Sequence, residues 1–173
     1  MSKVAIIENS INEFFLSRKS FSDYLLKNFK LTVLVPYSTQ HNFNYNKYNL
    51  CQYPLTRGER GITGALKTIW FLFWFFKKHK FDIIHTFKFE PNFYATLAAR
   101  LAGSRYIINN INGLGIAFSG NSYKHKLLQL IIFISYQITF LLSDVVIFQN
   151  PDDLKLFKKK LLFVSKKFKL IEG

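Results

Sequence analysis

The segment Asn112-Gly113-Leu114-Gly115 is the first candidate for chemistry, because it lies where an apolar run gives way to a loop ahead of a long helical pattern. Glycine at such a junction permits positive φ and lets a ligand approach the backbone closely. The segment serves either as a ligand-binding turn or as plain turn geometry. It is not the dinucleotide fingerprint: Phe118 occupies the place of the third glycine, and this is not the first strand-to-helix turn of the chain. His85, Lys88, Glu90 and Asn92 form a second group after another apolar run. A histidine there is either a satisfied structural side chain or part of an acceptor site. Arg18, near the first loop and helix, makes either a surface ion pair or an anion contact. Lys124, His125 and Lys126 fall in the first turns of a long helical pattern, where positive charge opposes the helix dipole. They are either a solvated basic face or contacts to phosphate groups of a lipid or sugar carrier.

Other chemistries are excluded by what is missing. There is no Walker loop, no His-Glu-x-x-His and no Gly-x-Ser-x-Gly elbow. Asp152 and Asp153 resemble a carboxylate pair, but after Asn150-Pro151 they fit the first turn of a helix whose cap is Asn150. The lone Cys51 can form no intramolecular disulfide and no Cys-rich zinc site, and it fits a reducing compartment. No metal site and no bound cofactor are expected.

The elements that position these residues alternate. Apolar or β-branched runs at 4–8, 31–35, 50–53, 81–86, 106–108, 144–148 and 168–171 read as strands. Helical spacing appears at 17–29, 63–79, 122–142, from Pro91 to a glycine cap at Gly103, and in a short helix opened by Asn150-Pro151. The order β-α-β-β-α-β-α-β-α-β-α-β predicts an α/β fold with a mainly parallel sheet of about seven strands and helices on both faces. Ligands then collect at the carboxyl ends of the strands, which singles out 8–10, 85–92, 109–115 and 149–150.

The chain has 173 residues, 49% hydrophobic and 20% charged, enough to bury the core of one domain and to exclude disorder as the main state. Twenty-four Lys and Arg against ten Asp and Glu give a formal charge of +14, which favours nucleic acid, phosphorylated substrates or an acidic membrane face. The lysines are spread over several helices without an RNA- or DNA-reading motif, so nucleic acid is not an expected partner. No secretory signal is present at the start. Two greasy stretches, 69–76 and 127–142, fall short of an uninterrupted membrane span and read as buried or interfacial helices. The first, around Trp70 and Trp74, is apolar all round, so it is sandwiched or touches a bilayer or partner.

Several of these runs also resemble one family in order. Tyr53-Pro54-Leu55-Thr56-Arg57-Gly58, Asp82-Ile83-Ile84-His85-Thr86, Glu90-Pro91-Asn92-Phe93-Tyr94-Ala95 and Asn112-Gly113-Leu114-Gly115-Ile116-Ala117-Phe118 are similar to the N-terminal half of family-4 glycosyltransferases. Phe148-Gln149-Asn150-Pro151-Asp152-Asp153-Leu154 and the terminal Leu170-Ile171-Glu172-Gly173 extend the likeness along nearly the whole chain. The branch most resembled adds sugars to polyprenyl-linked oligosaccharides for capsule, lipopolysaccharide O-antigen or protein glycans.

The resemblance implies a GT-B fold: two Rossmann-like domains facing a cleft, the first holding the acceptor, the second the nucleotide-sugar and a paired-glutamate motif. Residues 1–173 then form the first domain, with the donor-binding domain absent and the isolated chain inactive. It also implies a retaining hexosyl or N-acetylhexosaminyl transfer without a catalytic metal, from a nucleotide-sugar to a polyprenyl-diphosphate-linked glycan. The cleft would be lined by Arg18, His85, Lys88, Glu90, Asn92, Asn112, Gly113, Leu114, Gly115 and Asn150. Two departures stand out. Relatives often carry Lys immediately before the Pro-Asn pair, where this chain has Glu90, and other branches have a histidine where this chain reads Ile111-Asn112-Gly113. Because such acceptors are anchored in the cytoplasmic leaflet, a cytoplasmic domain peripheral on the inner face of the plasma membrane is expected. Lys124, His125, Lys126, Trp70 and Trp74 would meet the anionic surface, each cation contributing about 1 kcal/mol and the aromatics favouring the interface. A second reading is a non-catalytic membrane-recruiting subunit or module that works with a separate donor-domain chain.

Overall fold

The computed structural model describes residues 1–37, 47–55, 61–113, 122–161 and 163–171. Seven strands form one sheet: β1 (Lys3–Ile7), β2 (Lys30–Pro36), β3 (Asn49–Tyr53), β4 (Ile83–Phe87), β5 (Tyr106–Ile111), β6 (Val145–Phe148) and β7 (Phe168–Leu170). Their spatial order is β3-β2-β1-β4-β5-β6-β7, and all six pairings are parallel. The expected α/β Rossmann-like sheet is therefore present, parallel throughout. The apolar runs explain it. Val4, Ala5, Ile6 and Ile7 are all buried, alternating between two hydrophobic clusters on opposite sides of β1. A strand covered on both faces needs a continuous apolar run and cannot be an antiparallel edge with one wet face.

One face carries the chain's first helical segment. It is made of α1 (Ile11–Glu13), a π-helical turn (Phe14–Arg18) and α2 (Lys19–Leu25), and it packs Ile11 and Phe14 on Val4, Ile6, Val33 and Phe87. The single helix expected over 17–29 thus starts earlier, ends sooner and widens at its middle. The opposite face carries α3 (Ile62–His79), α4 (Phe89–Ala102), α5 (Tyr123–Leu142) and α6 (Pro151–Lys160). Leu72 and Phe76 of α3 and Ala95, Ala98 and Ala99 of α4 cover Ala5, Ile7, Ile84 and Ile107. Small residues on α4 let that helix pack closely while Phe76 fills the space beside it. Burying a side chain such as Leu72 or Phe76 contributes roughly 1.5–3 kcal/mol. Tyr136 and Phe140 of α5 and Phe157 of α6 complete the layer over Val146 and Phe148.

The helix ends are held by chemistry legible in the sequence, and by some that is not. Asn150 accepts from the Asp152 amide at 2.8 Å, so it caps α6 as expected. Gly103 adopts φ +79° after α4, the left-handed turn that glycine makes without a steric penalty. α5 has no basic residue in its own last turn. Two distant cations supply the missing donors: Lys167 Nζ reaches the carbonyls of Phe140, Leu141 and Ser143 at 3.0, 2.8 and 2.6 Å, and Arg100 Nε reaches that of Leu142 at 2.7 Å. The Phe140 carbonyl also accepts from the Ser143 hydroxyl at 3.2 Å; both cations add donors at the helix end and complement the negative end of the dipole.

Candidate functional site

From β1 the chain moves outward to β2 on one side, and from β4 outward to β5 on the other. A crevice therefore opens beyond the carboxyl ends of β1 and β4, the place where parallel sheets of this kind bind ligands. Glu8 stands at the end of β1 and is fully buried. Its Oε1 accepts from Arg18 Nε at 3.2 Å and its Oε2 from the Asn9 amide at 3.2 Å, while Tyr53 donates to its carbonyl at 2.7 Å. The π turn ends at Arg18, and the guanidinium also lies over the Phe87 ring, 4.4 Å from its centroid. Burial raises the Glu8 carboxyl above its ordinary value. Arg18, the Asn9 N–H and Lys88 offset that only in part, and Glu13 adds to it.

Lys88 caps α4 with φ 73° and ψ 168°, a conformation disfavoured for a residue with a side chain. Its ammonium pairs with Glu13 at 3.5 Å, and both side chains are about one-third exposed or more. This pair links the segment after β1 to the residue after β4, and both of its side chains reach solvent. His85 lies within β4 rather than beyond it. Its ring stacks on Phe87 at 4.3 Å, meets the edge of Phe21 at 5.6 Å, and leaves Nε2 without a partner among the described residues. Burial first, and the Arg18 charge second, push its pKa down to about 3, so it is a neutral imidazole packed behind the rim.

A polar network lies under the neighbouring strand ends. Thr86 donates to Asn92 Oδ1 at 2.6 Å, Asn92 Nδ2 to the Asn110 carbonyl at 3.0 Å, and Asn109 Nδ2 to the hydroxyls of Thr86 and Thr96 at 2.7 and 2.8 Å. Asn92 is thus a buried brace between α4 and β5, not an exposed cleft group. Glu90, half-buried in the first turn of α4, suits the positive end of that helix. β5 runs three residues further than the apolar run 106–108, so Asn109 and Asn110 are strand residues and the loop begins at Asn112. Asn112 Nδ2 donates to Gln149 Oε1 at 2.7 Å across the β5 and β6 ends, and its buried Oδ1 has no partner among the described residues. Gly113 has φ +127°, as the turn reading requires. Leu114 and Gly115 lie outside the described residues.

The structure thus brings Arg18 and Lys88 together at the β1/β4 crevice, with Asn112 and Gly113 one strand along the same rim after β5 and Asn150 two strands along after β6. Lys124 and Lys126 are exposed at the start of α5, where the His125 ring lies 2.7 Å from Ser122 Oγ. Trp70 and Trp74 sit on the outward side of α3, away from the crevice. Sequence reasoning singled out 8–10 as a strand end but did not pair Glu8 with Arg18, and it missed Glu13 as the partner of Lys88. The signal available was the acid directly after the first strand, with an arginine ten positions later.

The family model for glycosyl transferase 4-like proteins matches residues 3–150. The chain belongs to that family. Among solved structures, the glycosyl transferase 4-like domain is similar to Acinetobacter baumannii MurG (TM-score 0.67, 14% identity, 100% of this chain and 45% of that one). It is similar to the lipopolysaccharide outer core galactosyltransferase WaaB (TM-score 0.70, 10% identity, 99% and 45%). It also resembles a UDP-N-acetylglucosamine 2-epimerase from Rickettsia bellii (TM-score 0.63, 14% identity, 100% and 45%). At such identities the likeness establishes the fold alone, and that one sheet plan serves both transferases and an epimerase. The chain spans less than half the length of each. Sequence comparison with curated proteins gives no significant match.

Proposed function

We propose that this domain is the acceptor-side wall of a retaining glycosyltransferase, which moves a hexosyl or N-acetylhexosaminyl unit from a nucleotide-sugar to a polyprenyl-diphosphate-linked glycan in surface polysaccharide or glycoprotein assembly. The donor would be held by a second domain facing the rim, and the chain by itself would not turn over. The observation that carries the reading is the β1/β4 crevice, whose accessible cation, Lys88, pairs with a partner that also reaches solvent, Glu13. In this account a diphosphate displaces Glu13 from Lys88, a contact strengthened by the amino end of α4. Arg18 is committed to Glu8 and fixes the crevice wall instead of touching ligand. Asn112 Oδ1 accepts a sugar hydroxyl while Gln149 holds its amide.

The test is equilibrium binding of a lipid-diphosphate oligosaccharide and of nucleotide-sugars to the purified chain. The acceptor should bind, and Lys88→Ala should weaken it about tenfold or more, the scale of one lost charge-assisted contact. Nucleotide-sugar bound as tightly as the acceptor, or acceptor affinity indifferent to Lys88→Ala, would contradict the assignment.

A further inference from the structure

The helical layer on the far side of the sheet from α2 has an outward surface that its own core does not explain. α3 keeps Thr68, Leu72 and Phe76 inside and turns Leu66, Trp70 and Trp74 outward, the two indoles 64% and 52% exposed. Spacings of four along the helix place these three on one stripe. Lys67 stands on the stripe beside Leu66, and Lys77 and Lys78 close it. α5 does the same over a greater length. Tyr136, Thr139 and Phe140 face the core, while Leu127, Leu130, Ile131, Ile134, Ile138 and Leu141 face away, Leu130 at 55% and Ile134 at 53% exposure. A 20-residue helix is about 30 Å long, so this stripe alone is a large exposed apolar patch of the kind that marks an interaction site.

α5 is the one helix among the described residues long and apolar enough to cross a membrane. Its inner face is part of the core, and it joins β5 to β6, parallel neighbours in one sheet. It therefore lies along the sheet and presents its other side lengthwise. Between α3 and α4 a groove of about 740 Å³ is lined by Leu66, Ile69, Trp70, Phe73 and Leu101, with Lys67 as its charged group.

Charge identifies the occupant. Neither α3 nor α5 contains an Asp or Glu, whereas both carry cations near their ends. α6, packed against α5 through Phe157, adds exposed Lys158, Lys159 and Lys160 to the same layer. Apolar stripes with tryptophan, bordered by lysine and free of acids, match an anionic bilayer, where aromatics settle at the headgroups and lysines stay in the aqueous layer. We propose that the α3–α4–α5 surface lies flat on an anionic lipid bilayer, with the groove beside Trp70 taking a lipid hydrocarbon chain. This docking does not depend on the transfer reading, and its test measures lipid association alone, so either can fail without the other.

Trp70 and Trp74 are the only tryptophans in the chain, so their fluorescence reports this face directly. The full chain is titrated with vesicles of phosphatidylcholine, with and without phosphatidylglycerol, including brominated lipids. The expected result is a blue shift and bromine quenching that require the anionic lipid, with partitioning reduced by added salt. Ile134→Asp with Ile138→Asp should weaken partitioning roughly a hundredfold, from two lost apolar insertions. Lys19→Gln with Lys27→Gln, the same change in net charge on the α2 side, should weaken it far less. Circular dichroism confirms that both variants keep the fold. Absence of vesicle association at low salt, association without quenching, equal loss in the two double variants, or a stable lipid-free dimer with shielded tryptophans would each overturn the proposal.

Discussion

Replacing His85 by Phe should make the domain more resistant to acid. In the fold His85 is buried between Phe21 and Phe87 beside Arg18, and its pKa is pushed down to about 3 from the ordinary 6.5. A depressed folded value means that the fold favours the neutral ring. The stability this confers is complete above the unfolded pKa and is lost as pH falls from 6.5 towards 3. Between pH 7 and pH 5 the unfolded chain takes up most of a proton at this position and the folded chain takes up almost none, which costs about 2 kcal/mol. Phe is close in shape, and His85 Nε2 has no partner among the described residues to lose, so the change at pH 7 should be under about 1.5 kcal/mol. Glu8 titrates in the opposite sense, because its raised value favours the protonated acid in the fold. It is present in both proteins, however, and the difference between them isolates His85. Urea unfolding at pH 7 and pH 5, at constant m-value, measures that difference. Stability profiles of wild type and His85→Phe that run parallel across this range would refute the buried neutral ring.

Arg18→Met should cost about 3–5 kcal/mol near neutral pH, because it leaves the Glu8 carboxylate buried and unpaired. That deficit should shrink on acidification, since a carboxyl with a raised folded pKa regains stability as it takes up its proton; urea melts across pH read both effects. Lys167→Met should remove a donor from three carbonyls at the end of α5, of which that of Phe140 keeps the Ser143 hydroxyl, and cost roughly 1–3 kcal/mol, with faster amide exchange in the last turn of α5 and little change in β1 as the signature.

The order of elements was legible because the strands here are apolar runs, Val4–Ile7 buried on both faces and Val145–Phe148 buried on one and half-buried on the other, separated by helices with caps at Asn150 and Gly103. Their pairing directions followed from the alternation. Asn109 and Asn110 hid the last part of β5, because asparagine is depleted in strands; here Thr86 and Thr96 accept from the Asn109 Nδ2. The π turn was invisible because Phe14, Phe21 and Leu25 fit ordinary helical spacing equally well. The Glu8–Arg18 pair depends on where that turn aims a side chain, which spacing alone does not specify. For α3, an all-round apolar helix gave no sign of which side faces out; the structure turns Trp70 and Trp74 to solvent and Leu72 and Phe76 inward. Of the site, the rim position of Asn112 and Gly113 and the cation at Lys88 were readable from strand ends. The burial of Asn92 was not, because spacing alone does not show which side of α4 turns inward; a packed structural His85 was one of the two readings left open.

The central proposal is that residues 1–173 form the acceptor side of a sugar transfer. It is tested most directly by incubating the chain with a polyprenyl-diphosphate glycan and a panel of nucleotide-sugars, alone and with a separately supplied donor-binding domain. The account predicts no product from the chain alone and product when the donor domain is added. Turnover by the chain alone would contradict it.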